Sequence, residues 1–179
     1  MKNLPIQTKP TRLWFMAHGY KIVPNIFGND VVFWVKNDGT KGCQFKNGKA
    51  VFQDPYPTTY ENSKDKSDAH RKQRYLAFKD AFGHNKGILV SHAVYTAFVG
   101  PIPEGMVIDH LNGITTDNTP ENLEEVTPAE NRRRAQYLRI MRECEFDPRI
   151  FSRAQLHEIF SQDFDTFKTM LLHHKDGEV

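Results

Sequence analysis

Residues 88–134 read ILVSHAVYTAFVGPIPEGMVIDHLNGITTDNTPENLEEVTPAENRRR, and the rest of the chain is best read outward from them. KGILV, at the front edge, predicts a short strand. Ser91 is then a good N-cap for HAVYTAF, whose Val94, Ala97 and Phe98 make one apolar stripe. Gly100-Pro101 ends that helix, and Pro103-Glu104-Gly105 turns the chain into a second strand, MVID. Asp109 and His110 are neighbours, so in an extended chain they point to opposite faces. They can share one site only where the strand ends or bends, and Leu111-Asn112-Gly113 supplies the bend.

The loop 114–122 is polar, with Asp117, Asn118, Pro120 and Asn122. Such a loop needs side-chain amides to satisfy its own backbone. Asn122 is the natural brace, and Asn118 reads equally well as a turn residue. Residues 123–126 return as a strand. Thr127, Pro128 and Glu130 then form a capping box with proline at the first helical position, which fixes the start of the next helix and places Asn131 on its first turn. The unit is strand, loop, strand, helix.

These residue types suggest a chemistry. A hard divalent cation such as Mg²⁺ takes few protein oxygens and keeps several waters. The Asp109 carboxylate and the Asn131 amide oxygen suit that sparse set. An imidazole at His110 can remove a proton from water, because its ordinary pKa lies near neutrality.

The blocks H-A-V-Y-T-A-F-V-G-P-I-P, I-D-H-L-N-G, T-D-N, P-E-N-L and E-N-R-R-R, in that order, resemble the HNH endonuclease family, in particular the phage and intron homing endonucleases with a DH…N…N motif. Asn122 lies 12 residues past His110 and Asn131 lies 21 past it. The resemblance covers about a quarter of the chain. It implies an α+β fold with a ββα-metal (His-Me finger) core. It also implies catalytic roles for His110 as general base and Asn122 as loop brace, with Asp109 and Asn131 as ligands to one Mg²⁺ or Mn²⁺ per site. The implied activity is hydrolysis of phosphodiester bonds in double-stranded DNA. A single site of this kind cuts one strand, which makes nicking one form of that activity. The runner-up reading is a protein that keeps the HNH fold without catalysis, as a DNA-binding, inhibitory or virion component.

Downstream, residues 128–144 continue as a helix carrying Arg132, Arg133, Arg134, Arg139 and Arg142. Arginines at this density beside a phosphodiester site are expected to grip DNA backbone, Arg132, Arg133, Arg134 and Arg139 foremost. His92, behind its cap, reads as a structural or capping histidine before a catalytic one, and it joins the arginines as a candidate DNA contact. The tail, 144–179, holds four Lys or Arg against seven Asp or Glu. Ser152 can cap one short helix and Ser161 or Asp163 another, with Leu156, Ile159, Phe160, Phe164, Phe167 and Leu171 at helical spacing. The acidic balance argues against a recognition helix. A packing or oligomerising helical hairpin is the preferred reading, with His173 and His174 solvated.

Upstream, residues 1–12 read as an irregular arm and 13–52 as β-rich. VVFWV at 31–35 is a strand candidate, Lys36-Asn37-Asp38-Gly39 a hairpin turn, GCQFK its return strand, and Asn47-Gly48 a second turn before AVFQ. This N-terminal antiparallel β-meander is a scaffold, or a sheet whose Phe33, Trp34 and Phe45 meet DNA or a protein. DPYPTT at 54–59 is a linker. Residues 63–82 predict a helix striped by Tyr75, Phe78 and Phe82, with Lys64, Lys66, Arg71, Lys72 and Arg74 forming a solvated or phosphate-binding face. The expected divisions are 1–59, 60–143 and 144–179.

The whole chain bears a net charge of +2 over 179 residues, with the tail at −3 and the remainder at +5, so the basic excess travels with the suspected site. Two separated cysteines, Cys43 and Cys144, make a disulfide framework or cysteine zinc site a poor fit and point to a reducing cytoplasm. No apolar run reaches the ~18 residues of a membrane helix, and the N-terminus lacks the apolar stretch of a secretory signal.

Overall fold

Thr11 opens the first element. Its hydroxyl accepts from the Trp14 amide at 3.2 Å and caps a short helix, α1 (Arg12–Ala17), which buries Phe15. The β-rich reading from residue 13 is corrected here, because a cap and one buried aromatic suffice for a single helical turn and a half. The computed structural model describes residues 10–24, 32–46, 49–57, 74–80 and 82–175. After α1 come four antiparallel strands paired in chain order, β1 (Tyr20–Val23), β2 (Phe33–Lys36), β3 (Gly42–Lys46) and β4 (Lys49–Gln53). This is the expected meander. Its first turn has Gly39 at φ +70°, and the Asp38 carboxylate accepts from the Thr40 amide at 2.9 Å. The Asn47-Gly48 turn lies outside the described residues. Phe33 and Trp34 are buried, which removes them as a contact surface, while Phe45 remains partly exposed.

A second antiparallel sheet comprises β5 (Tyr56–Pro57), β6 (Arg74–Lys79) and β7 (Asn85–Leu89). The helix expected over 63–82 is corrected at its described end: residues 74–79 are a strand. Leu76 and Phe78 alternate into the core against β7, while Phe82 is 77% exposed and belongs to no stripe. The spacing of Tyr75, Phe78 and Phe82 imitates a helix, yet a period of two buries more. The rest of that expected helix, with Lys64, Lys66, Arg71 and Lys72, falls outside the described residues. The expected linker at 54–59 contributes β5. Gln44 couples the two sheets, donating to the Lys79 carbonyl at 2.6 Å and accepting from its amide at 2.9 Å.

The chain passes from β7 directly into α2 (Val90–Phe98). Its N-cap is Leu89, with no side-chain hydrogen bond, and Ser91 is buried inside the first turn rather than capping it. There is no loop in which a serine cap would be needed. Then follow β8 (Val107–His110), β9 (Leu123–Val126) and α3 (Pro128–Glu143), with β8 antiparallel to β9. Thr127 accepts from the Glu130 amide at 3.1 Å and Pro128 occupies the first helical position. The reciprocal half of the capping box is absent, because the Glu130 carboxylate is turned to Arg133 and Arg134. Finally come α4 (Arg153–Ser161), with a full Ser152–Gln155 capping box, and α5 (Phe164–Lys175), the two short helices expected of the tail, each packed on α3.

Among the described residues three apolar clusters hold these layers, one of them Phe15, Tyr20, Trp34 and Cys43 between α1 and the meander. Val23, Phe33 and Val35 of the meander pack with Leu76, Val94 and Leu123. Leu111, Tyr137 and Met141 pack with Leu156, Phe160 and Leu171 of the hairpin. Each fully buried aliphatic or aromatic side chain contributes roughly 1.5–3 kcal/mol. The three expected divisions thus contribute to shared cores on both sides of residues 88–134. Among the described residues, no helix is long and apolar enough to cross a membrane.

Candidate active site

β8 ends at Asp109-His110, and the chain then reverses. Gly113 makes this turn: its φ is +66°, its amide donates to the His110 carbonyl at 2.7 Å, and a Cβ there would lie 2.9 Å from the Leu138 side chain. The polar loop that follows binds itself. Asn122 accepts from the Asn112 amide at 3.0 Å and donates to the Asp117 carbonyl at 2.8 Å. Asn112 donates to the Asp117 carboxylate at 2.8 Å, whose other oxygen accepts from the Thr119 hydroxyl at 3.0 Å. The expected brace at Asn122 therefore has its two partners in the loop backbone.

The imidazole of His110 has a different partner. Its Nε2 lies 3.0 Å from the Asn118 Oδ1, and both residues are buried. The Asn118 amide nitrogen donates to the Thr116 carbonyl at 3.3 Å, which fixes the oxygen as the atom facing His110. Nε2 must then carry the proton, leaving Nδ1 as the basic nitrogen. Burial pushes the His110 pKa down, against the Asn118 hydrogen bond and the Asp117 charge, which push it up. From sequence, Asn118 is legible only as a turn residue; its spacing of eight from His110 in a T-D-N turn is the signal that points to it.

Asp109 lies across the β8–β9 pair from Glu124. Its side chain is 9% exposed and its Oδ2 has no hydrogen-bond partner. Burial raises its pKa, opposed by the Arg134 guanidinium, which lies 3.6 Å from Oδ2. A buried carboxylate oxygen without a donor is costly unless something else meets it. Asp109, His110 and Asn131 line one cavity of about 940 Å³, with Arg132, Arg139 and Arg142 along its α3 wall. Asp109 and Asn131 thus bring two hard oxygen donors to one space, a set that fits Mg²⁺ or Mn²⁺ and would not select a soft metal. Among the described residues, no three His, Cys, Asp or Glu side chains cluster as a metal-binding group.

The arginines divide. Arg132 has no ion pair among the described residues, and Arg139 meets Glu143 only at 3.7 Å with both side chains exposed. Arg142 donates to the Gly113 carbonyl at 2.9 Å and so ties the wall to the turn. Arg133 and Arg134, also expected at the DNA backbone, have partners within the fold. Arg133 donates to both Glu130 oxygens, to the Tyr137 hydroxyl at 3.2 Å and to the Phe160 carbonyl at 2.6 Å. Arg134 is buried against Glu124 and Glu130. Their guanidinium groups hold the fold, and hydrogen bonding to Arg133 first of all draws the Glu130 pKa down to about 2. His92 is partly buried outside the cavity wall. Its pKa is lowered by burial and by the charge of His110, and its carbonyl accepts from Thr96.

The comparison with curated proteins found no match. A solved structure described as "DNA binding and cleavage by the HNH homing endonuclease I-HmuI" is similar at 24% identity, over 63% of this chain and 54% of that one, with a TM-score of 0.44. The chain therefore spans about half the length of that relative. A family model described as HNH endonuclease matches residues 89–133, the segment that contains Asp109, His110, Asn118, Asn122 and Asn131. This segment, about a quarter of the chain, is what is similar to the HNH endonuclease family.

Proposed function

We propose that the protein is a divalent-metal-dependent DNA endonuclease of homing-endonuclease type, hydrolysing phosphodiester bonds in double-stranded DNA. One observation carries the reading: Asp109, His110 and Asn131 line a single cavity whose helical wall bears Arg132, Arg139 and Arg142. The backbone phosphate would lie along that wall, where guanidinium groups pair with phosphate oxygens. Water adjacent to the phosphorus gives its proton to Nδ1 of His110, whose Nε2–H is held by Asn118. The new P–O bond forms as the P–O3′ bond breaks, and the departing oxygen takes a proton from solvent. Asp109 and Asn131 would hold the cation, which supplies charge stabilisation for the crowded phosphate and the leaving oxygen. Asn122 keeps the loop closed around His110. Because the chain has one such cavity among its described residues, one copy nicks one strand.

The test is conversion of supercoiled plasmid in Mg²⁺ or Mn²⁺ by the wild-type protein and by His110→Ala. Nicked circles from the wild type and none from the variant support the reading. No conversion by either, or equal conversion by both, removes the catalytic reading and leaves a DNA-binding protein that kept the fold.

A further inference from the structure

Asp109 and Glu124 sit directly opposite each other on β8 and β9. Like charges at directly opposed positions destabilise a strand pair. Arg134 resolves this pairing, yet unevenly. Its Nη1 lies 2.5 Å from Glu124 Oε2 and its Nε 2.8 Å from Glu130 Oε1, while Asp109 Oδ2 stays at 3.6 Å, beyond hydrogen-bond distance. The other Glu124 oxygen is held by the C-terminal hairpin: Arg153 Nη2 donates to Oε1 at 2.9 Å, and His157 Nε2 lies 3.3 Å from it. Arg153 also donates to the Glu121 carbonyl at 3.0 Å, which pins it beside the β9 start. The Arg134 guanidinium is further confined by the Phe160 ring of α4, 5.2 Å from its centre. The result is a buried cation that hydrogen-bonds two other carboxylates and meets the cavity acid only as an ion pair at 3.6 Å, leaving Asp109 Oδ2 without a hydrogen bond.

We infer that Glu124 is a positioning residue: it withholds Arg134 from Asp109 and so keeps Asp109 Oδ2 open to a ligand entering the cavity. Arg153 and His157 of the hairpin orient Glu124 for that task, which gives the acidic tail a part in the site. The alternative arrangement is close at hand. With Glu124 neutral, Asp109 Oδ2 lies 3.6 Å from Nη1, and a charge-assisted guanidinium–carboxylate hydrogen bond would close over it. The inference rests on the proposed function for the identity of the ligand as a divalent cation, and on the geometry alone for the withheld arginine.

Both halves are tested on the full chain. The crystal structure of metal-free Glu124→Gln is expected to show Arg134 donating to Asp109 Oδ2 within hydrogen-bond distance; an Arg134 that keeps its 3.6 Å separation overturns the inference. Mn²⁺ binding, read by loss of the free-ion paramagnetic resonance signal, is expected to weaken about tenfold in Glu124→Gln, the lower range for groups supporting metal ligands. It should recover to within about twofold of wild type in Glu124→Gln/Arg134→Gln, since the competing cation is then gone. A double variant as weak as the single one, or weaker, overturns the inference, because a merely structural Glu124 predicts added damage. Captured Arg134 together with no Mn²⁺ binding by the wild-type protein would support the withheld arginine and remove the metal reading of Asp109.

Discussion

His110 Nε2 and Asn118 Oδ1 lie 3.0 Å apart, both residues buried, and this contact puts the imidazole proton on Nε2 and leaves the lone pair on Nδ1. Replacing Asn118 with Leu removes the acceptor and leaves a buried N–H without a partner, at about 1–3 kcal/mol of stability. The larger expected effect is on rate: a ring free to rotate or change tautomer should lose about 10²-fold in plasmid nicking, as misplaced catalytic groups do. Nitrogen NMR of the His110 ring above its pKa should report protonated Nε2 in the wild type and a mixture in Asn118→Leu. A wild-type ring protonated at Nδ1 would contradict this assignment.

Stability should rise with pH across the histidine range. Burial lowers the folded-state pKa of His110 and of His92, the latter also through the His110 charge. The unfolded chain then binds more protons than the folded one below the ordinary value of about 6.5, so stability is complete above that value and is lost as pH falls through it. Urea midpoints should drop between about pH 7.5 and 5.5, and the drop should shrink in His110→Gln. Asp109 acts with the opposite sign at lower pH, since burial raises its pKa and favours the protonated form in the fold. An unchanged pH dependence in His110→Gln would place the titrating group elsewhere.

Gly39 joins the meander to the site. It turns at φ +70°, and a Cβ there would lie 3.0 Å from the Asn118 Cβ and collide with the Val90 side chain. Gly39→Ala should cost roughly 1–3 kcal/mol from backbone strain and overpacking. It should also cost activity, because the displaced neighbour is the residue that holds His110. The two effects separate at low temperature: a variant fully folded by circular dichroism yet slow in nicking supports the coupling, whereas full activity in the folded variant dissolves it.

The parts of this site that are legible in sequence are those set by local chemistry. Thr127-Pro128 marks the start of α3, Leu123–Val126 reads directly as β9, and Gly113 marks the reversal after His110, because caps, proline and glycine act within one turn of themselves. The misread parts depend on partners distant in sequence. Leu76 and Phe78 alternate only once β7 lies beside them. Arg134 looks like its arginine neighbours until the β8–β9 register places Glu124 and Asp109 at its head. Asn118 and Asn122 are two amides in one loop, and only the folded loop shows which of them touches the imidazole and which touches backbone.

The division among the arginines makes a graded prediction for DNA binding. Arg132 and Arg139 line the cavity with weak or no internal partners, whereas Arg133 is fully engaged by Glu130, Tyr137 and Phe160. Removing one arginine–phosphate pair should reduce the slope of log affinity against log salt by about 1. In fluorescence anisotropy with a duplex and no added divalent ion, Arg132→Gln/Arg139→Gln should therefore flatten the salt dependence by about 2 while leaving the unfolding midpoint nearly unchanged. Arg133→Gln should do the reverse, lowering stability by breaking its hydrogen bond to α4 and leaving the slope alone. Arg142→Gln should show both effects, because the same guanidinium lines the cavity and holds the Gly113 carbonyl. A salt slope that responds to Arg133 and ignores Arg132 and Arg139 would mean that DNA approaches α3 from its other side, and the cavity would lose its claim to the scissile phosphate.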